Sequence, residues 1–148
     1  MEHRTASNMA LGAFAASTAV VVGAFLPWQQ VGFEGRGGQL GVGRVGGFDL
    51  GWDARVCVWL GVAGVVAGWM IAAGSWRSVA VAAKLVLLGS GLATLVTAWL
   101  YGEKLQSVVR PLGLSTRFDV GLVAIIAGAV GLILVGAFAP WRPVQRGV

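Results

Sequence analysis

"VGAFLPWQQV", residues 22–31, closes a long apolar run, and nearly the same words, "VGAFAPWRPV", return at residues 135–144. In both, small apolar residues give way to Pro-Trp. Pro27 and Pro140 push the preceding residue out of the α region and so end a helix. Trp28 and Trp141 follow, where an amphipathic ring favours a membrane–water boundary. The repeat reads as stop chemistry at the two faces of an apolar slab, and it makes the runs before it the first and last helices of the fold.

Working outward, composition sets the class. The chain has 148 residues, 57% hydrophobic and only 11% charged, where a soluble domain carries roughly 25% charged. Too little polar surface would remain to cover such a core in water. Four apolar runs stand out, at about 9–27, 56–73, 79–101 and 120–139. Each approaches the ~20 residues that cross ~30 Å of hydrocarbon as a helix. They show no strand-like alternation, which argues against an outer-membrane barrel. The first run exceeds the apolar core of a signal peptide, and no small-x-small cleavage site follows it. The sequence thus predicts an all-α integral membrane protein, a single domain over 1–148 built as a four-transmembrane-helix bundle.

The loops are unequal. Nine glycines fall in "QQVGFEGRGGQLGVGRVGGFDLGW" between helices one and two. Val31 and Phe33 alternate before "GRGG", and Leu40 and Val42 after it, the pattern of a glycine-rich β-hairpin over the external helix ends; a flexible loop is the alternative. "GRGGQLG" is not a phosphate loop, because no Lys-Ser/Thr follows. In the third loop a short interfacial helix is expected from Glu103 to Arg110, ended by Pro111. A second echo, "FDLG" at 48–51 and "FDVG" at 118–121, fits either two related helical hairpins or Asp53 and Asp119 acting as N-caps.

Chemistry is sparse. One cysteine, Cys57, allows no intrachain disulfide. The lone His3, placed in a polar N-terminal tail, has no second histidine with which to share a metal. No catalytic, cofactor-binding or metal site is expected, and the chain does not read as an enzyme. Lys84 is the one charge well inside an apolar run. An intramembrane ionisable group is a functional candidate, although from this position it can snorkel to the interface. Ser90, Thr94, Thr97 and Tyr101 share one face of helix three. They form either a polar path, together with Lys84, or helix-packing hydroxyls. Packing signals recur in Gly61, Gly64 and Gly68 of helix two, in Ala124/Gly128 and Ala127/Gly131 of helix four, and in Gly12/Ala16 of helix one, since small residues four apart let helices approach closely.

"FLPW" followed by a Gly-rich loop closing on "GGFDLGWDARVCVWLGVAG" resembles uncharacterised small four-helix (tetraspan) membrane proteins of actinobacteria and archaea, over about residues 20 to 68. That resemblance implies a fold and no activity. Claudin-type tetraspans also carry a Trp-bearing β-loop after helix one, but this chain has Trp52 and Cys57 without a second loop cysteine.

The expected function is that of a non-catalytic accessory or structural subunit, a homo-oligomer or part of a larger membrane protein complex. The alternative is a small oligomeric channel or transporter using Lys84 and the hydroxyl face. The net charge of +5 suits the anionic headgroups of a lipid bilayer, not nucleic acid. Basic residues divide almost evenly between the two faces, so they do not fix orientation. The short, acid-free link at 77–84 and the tail favour both termini in the cytoplasm of a prokaryotic cell. Cysteines placed at Gln39 and Gln145 test this in intact cells with a membrane-impermeant reagent. Labelling is expected at Gln39 alone, and labelling at Gln145 alone would reverse the topology.

Overall fold

The structure, a computed structural model, describes residues 2–35, 38–49, 52–73, 77–112 and 114–138. Four helices, α1 (Glu2–Phe25), α2 (Asp53–Ala72), α3 (Arg77–Val109) and α4 (Val120–Phe138), are each long and apolar enough to cross a membrane. They run alternately up and down in a ring, α1 packing on α2 and α4, and α3 on the same two neighbours. At one end, strands β1 (Pro27–Gly35), β2 (Gly38–Gly46) and β3 (Leu114–Phe118) form an antiparallel sheet in the order β2-β1-β3.

The glycine-rich hairpin is present, with Phe33 opposite Leu40 and Gly35 opposite Gly38. The fold is therefore not all-α. The third strand was not expected: "LSTRF" is too short to show a period, and it adds to the free edge of β1, Gln29 facing Phe118 and Phe33 facing Leu114. The turn chemistry at Pro27 also differs from the expectation. Leu26 leaves the helix as a residue before proline must, yet Pro27 then opens β1 directly, at a strand start where its missing N–H costs no ladder bond. Between Pro27 and Gln29 the register shifts, so that Trp28 is an extra residue on β1. Such a bulge re-aims a side chain. Trp28 is consequently not an exposed ring but fully buried, 0% exposed. The second "APW" lies outside the described residues.

Helix three does not stop near Tyr101. It continues to Val109 without a break, and a 3₁₀ turn, Arg110–Leu112, follows. The separate helix expected from Glu103 does not exist. Hydropathy ends at Gly102-Glu103-Lys104, but Glu, Lys, Leu and Gln are good helix formers, so the helix changes from uniformly apolar to amphipathic. Tyr101, Leu105 and Val109 are buried at i, i+4 and i+8, whereas Glu103, Lys104 and Gln106 are exposed. At 33 residues α3 is about 50 Å long, and its last turns stand beyond the bundle as a post for the sheet. At the opposite end α1 begins at Glu2, so His3 lies in a helix and not in a tail.

Asp53 is not an N-cap either. Trp52 holds that place without a side-chain bond, and Asp53 is the first helical residue. In "FDLG", Asp49 accepts a bond from the Gly46 N–H (2.6 Å), closing a turn. In "FDVG", Asp119 caps α4, its Oδ1 2.8 Å from the Val120 N–H. The two tetrapeptides do different local work.

Helix contacts are close because glycine removes the side chain between them. A Cβ on Gly121 would stand 2.5 Å, 2.7 Å and 2.9 Å from the carbonyl oxygens of Pro27, Leu26 and Gly23. One on Gly23 would stand 2.8 Å from the Gly121 oxygen. Backbone meets backbone there, and no rotamer can relieve it. Gly89, in contrast, has nothing within 4 Å of an added Cβ. Gly121→Ala is therefore expected to lower unfolding stability in detergent by roughly 1–3 kcal/mol, as overpacking does. Gly89→Ala should be neutral or stabilise by up to about 1 kcal/mol through helix propensity. Equal effects of the two would contradict the packing described.

Candidate functional site

The helix-packing residues expected from the sequence sit as follows. Gly61, Gly64 and Gly68 are buried on the α2 face toward α1. Added Cβ atoms on them would meet Val21 at 2.6 Å, Ser17 Oγ at 2.5 Å and Ala13 Cβ at 3.0 Å respectively. Gly128 faces α1 at the Ala16 carbonyl, and Gly131 faces the Ala16 side chain. Ala124 is half-buried and Ala127 exposed, so the buried face of α4 runs through Gly121, Ile125, Gly128 and Leu132.

Two threonine hydroxyls of α3 bond their own helix. Thr94 Oγ1 donates to the Ser90 carbonyl (2.7 Å) and Thr97 Oγ1 to the Ala93 carbonyl (2.9 Å). Thr94 is fully buried and Ser90 nearly so. Ser17, on α1, is buried against Gly64 and its hydroxyl has no hydrogen-bond partner. Lys84 does not snorkel outward: it is 4% exposed. It shares the inward stripe of α3 with Leu87 and Gly91, the stripe that packs on α4.

A second polar region, at the sheet end of the bundle, was not anticipated. Trp28 donates its indole N–H to the Gly23 carbonyl (3.0 Å), which at the end of α1 also accepts the Leu26 N–H (3.2 Å). Its ring meets Tyr101 edge-on, centroids 4.6 Å apart, and lies against Gly47. Around this plug three buried polar atoms have no hydrogen-bond partner: Tyr101 Oη, Gln29 Oε1 and Asp53 Oδ2. Lys104 Nζ stands 3.9 Å from Asp53 Oδ2, an ion pair too long for a hydrogen bond.

Asp119 ties the sheet to the bundle. Its N–H donates to the Trp28 carbonyl (2.9 Å), and its carboxylate accepts from Gln30 Nε2 (3.2 Å) and lies 3.7 Å from Arg44 Nε. The bond from the Val120 N–H outweighs the opposing effect of burial and, helped to a lesser degree by Gln30 and the Arg44 charge, holds this carboxyl below its ordinary value. The sequence signals were the paired amides Gln29-Gln30 after "PW" and the single tyrosine. Neither had meaning without the third strand that brings Asp119 beside them.

Among the described residues no three His, Cys, Asp or Glu side chains gather as a metal site. No protein-family model matches the chain, nor does any curated protein.

The plug yields a graded mutational series. Trp28→Ala should cost about 3–5 kcal/mol, the range for deleting a buried aromatic. Trp28→Phe keeps most of the apolar contact and removes one of the two bonds to the Gly23 carbonyl, which retains the Leu26 N–H, so about 0.5–1.5 kcal/mol is expected. Because the Asp119 pKa is depressed, its contribution is present above the unfolded carboxyl value and is lost as pH falls through the folded one. Asp119→Asn should therefore melt below wild type at neutral pH, the gap closing in acid. A gap unchanged across that range would remove Asp119 from the joint.

Proposed function

We propose that the chain is an integral membrane protein of a prokaryotic cell membrane, with four spans, both termini cytoplasmic and the sheet outside. It acts without catalysis, as an accessory or structural subunit that assembles with itself or with a larger membrane complex. The observation that carries this reading is the bonding of the α3 hydroxyls. Thr94 and Thr97 are turned onto carbonyls of their own helix, the arrangement of packing residues and not of groups that line water. The outer mouth is filled by Trp28 and Tyr101. The apolar outer faces supply docking surface: Trp59 and Trp69 on α2 and Trp52 at its N-cap are all exposed. Trp59 lies two turns inside that helix, below the belt where aromatic rings gather at headgroups.

One observation favours transport instead, namely the buried Lys84, since an ionisable residue held inside a bundle marks ion pathways. Flux through reconstituted liposomes separates the two. Thr94→Val with Thr97→Val should fold, because removing a hydroxyl that bonds its own helix costs no more than the ~0.6 kcal/mol average of an interhelical bond. Wild type, this double variant and Lys84→Gln should all show no small-ion flux above empty vesicles, while crosslinking in membranes captures an assembly. Wild-type flux that changes in either variant would overturn the subunit reading in favour of a channel.

A further inference from the structure

Between the outer halves of α3 and α4, beneath β3, lies an open groove of about 590 Å³, within the range of small-molecule sites, roughly 300–1,000 Å³. Its inner end is Leu95 and Ile126, and its floor is the buried pair Ala98 and Leu122. Trp99 and Phe118, both exposed, stand at the rim, and Glu103 and Gln106 line the outer end. From Leu95 to Gln106 the groove follows eleven residues of helix, about 16 Å. That is close to one leaflet, half of the ~30 Å hydrocarbon. Polarity runs along it in the same sense as in a lipid, apolar inside and hydrogen-bonding outside. Gly102 lines it, and an added Cβ there would meet nothing within 4 Å, so the missing side chain is what leaves the groove open. Glu103 is the one charged group among the described lining residues.

We propose that this groove binds a phospholipid whose headgroup bears an ammonium. One acyl chain lies along Ala98 and Leu122, and the ammonium meets the Glu103 carboxylate between the Trp99 and Phe118 rings, whose faces attract cations. A partner helix would need no such gradient from apolar to anionic along the groove, and an anionic lipid would meet a like charge. The proposal rests on the membrane reading above and adds a lipid class to it.

The test uses the full chain with vesicles of equal phosphatidylethanolamine and phosphatidylglycerol, first by flotation and then by native mass spectrometry of retained lipid. Wild type should float with the vesicles and retain phosphatidylethanolamine over phosphatidylglycerol by about tenfold, equivalent to ~1.4 kcal/mol. Gly102→Leu fills open space without a clash, so its melting temperature should not fall, while retention drops by about tenfold. Glu103→Gln, at an exposed position, should fold and lose the preference. Flotation with equal retention of the two lipids, or undiminished retention in Gly102→Leu, would overturn the lipid site alone. So would a wild-type dimer that Gly102→Leu abolishes without changing lipid retention, which would assign the groove to a second copy. A chain that does not float would overturn the membrane reading and the site with it.

Discussion

The indole of Trp28 closes the end of the helical bundle, and the sheet is hung from that closure. Because β1 starts one residue after Leu26, there is no linker between the first helix and the sheet, and the strand's direction is set where α1 ends. The bulge at Trp28 turns the ring inward, where its N–H caps α1 and the ring forms a T-shaped pair with Tyr101. The same residue's carbonyl accepts from Asp119, at the start of α4. One side chain and its backbone thus join α1, α3, α4 and the sheet. This is possible only because Gly47 leaves room for the ring and Gly121 lets the α4 backbone meet the end of α1.

Helix three completes the arrangement. Had it stopped at the level of its neighbours, the sheet would cover the bundle only through the chain connections. Its amphipathic extension adds Leu105 and Val109 to the hydrophobic core, against which the half-buried Val31 of β1 and Leu114 of β3 pack. On the other side of the extension, Glu103 and Gln106 overhang the groove on α4. A single change of pattern at Gly102, from uniformly apolar to amphipathic, therefore produces both the support of the sheet and the polar end of the groove.

What the sequence disclosed follows from the range of the forces involved. Long apolar runs register in composition, so the four helices were legible, as was the hairpin with its alternating residues on either side of "GRGG". The small-residue faces of α2 were legible because close approach needs glycine in a local pattern, and Gly64 and Gly68 do meet α1. The burial of Trp28 was not legible, since it depends on one bulge and on Tyr101, which lies 73 residues further along the chain. Nor was the third strand, whose pairing partner lies more than 80 residues away. The inward placement of Lys84 was missed for a related reason. Position within a helix fixes depth, but only the neighbouring helices fix which side is closed.

Cys57 offers a native probe of the closed bundle that Trp28 and Tyr101 imply. It is fully buried and lies one turn further into α2 than Ala54, which flanks Gly47 as the Trp28 ring does. With the chain in membranes, a small water-soluble maleimide should leave Cys57 unmodified over a period that labels the denatured chain completely, and Trp28→Ala should make it reactive. Labelling of Cys57 in the folded wild type as fast as a cysteine placed on the exposed sheet would mean that water reaches the core, and would contradict a bundle closed and dry at its sheet end.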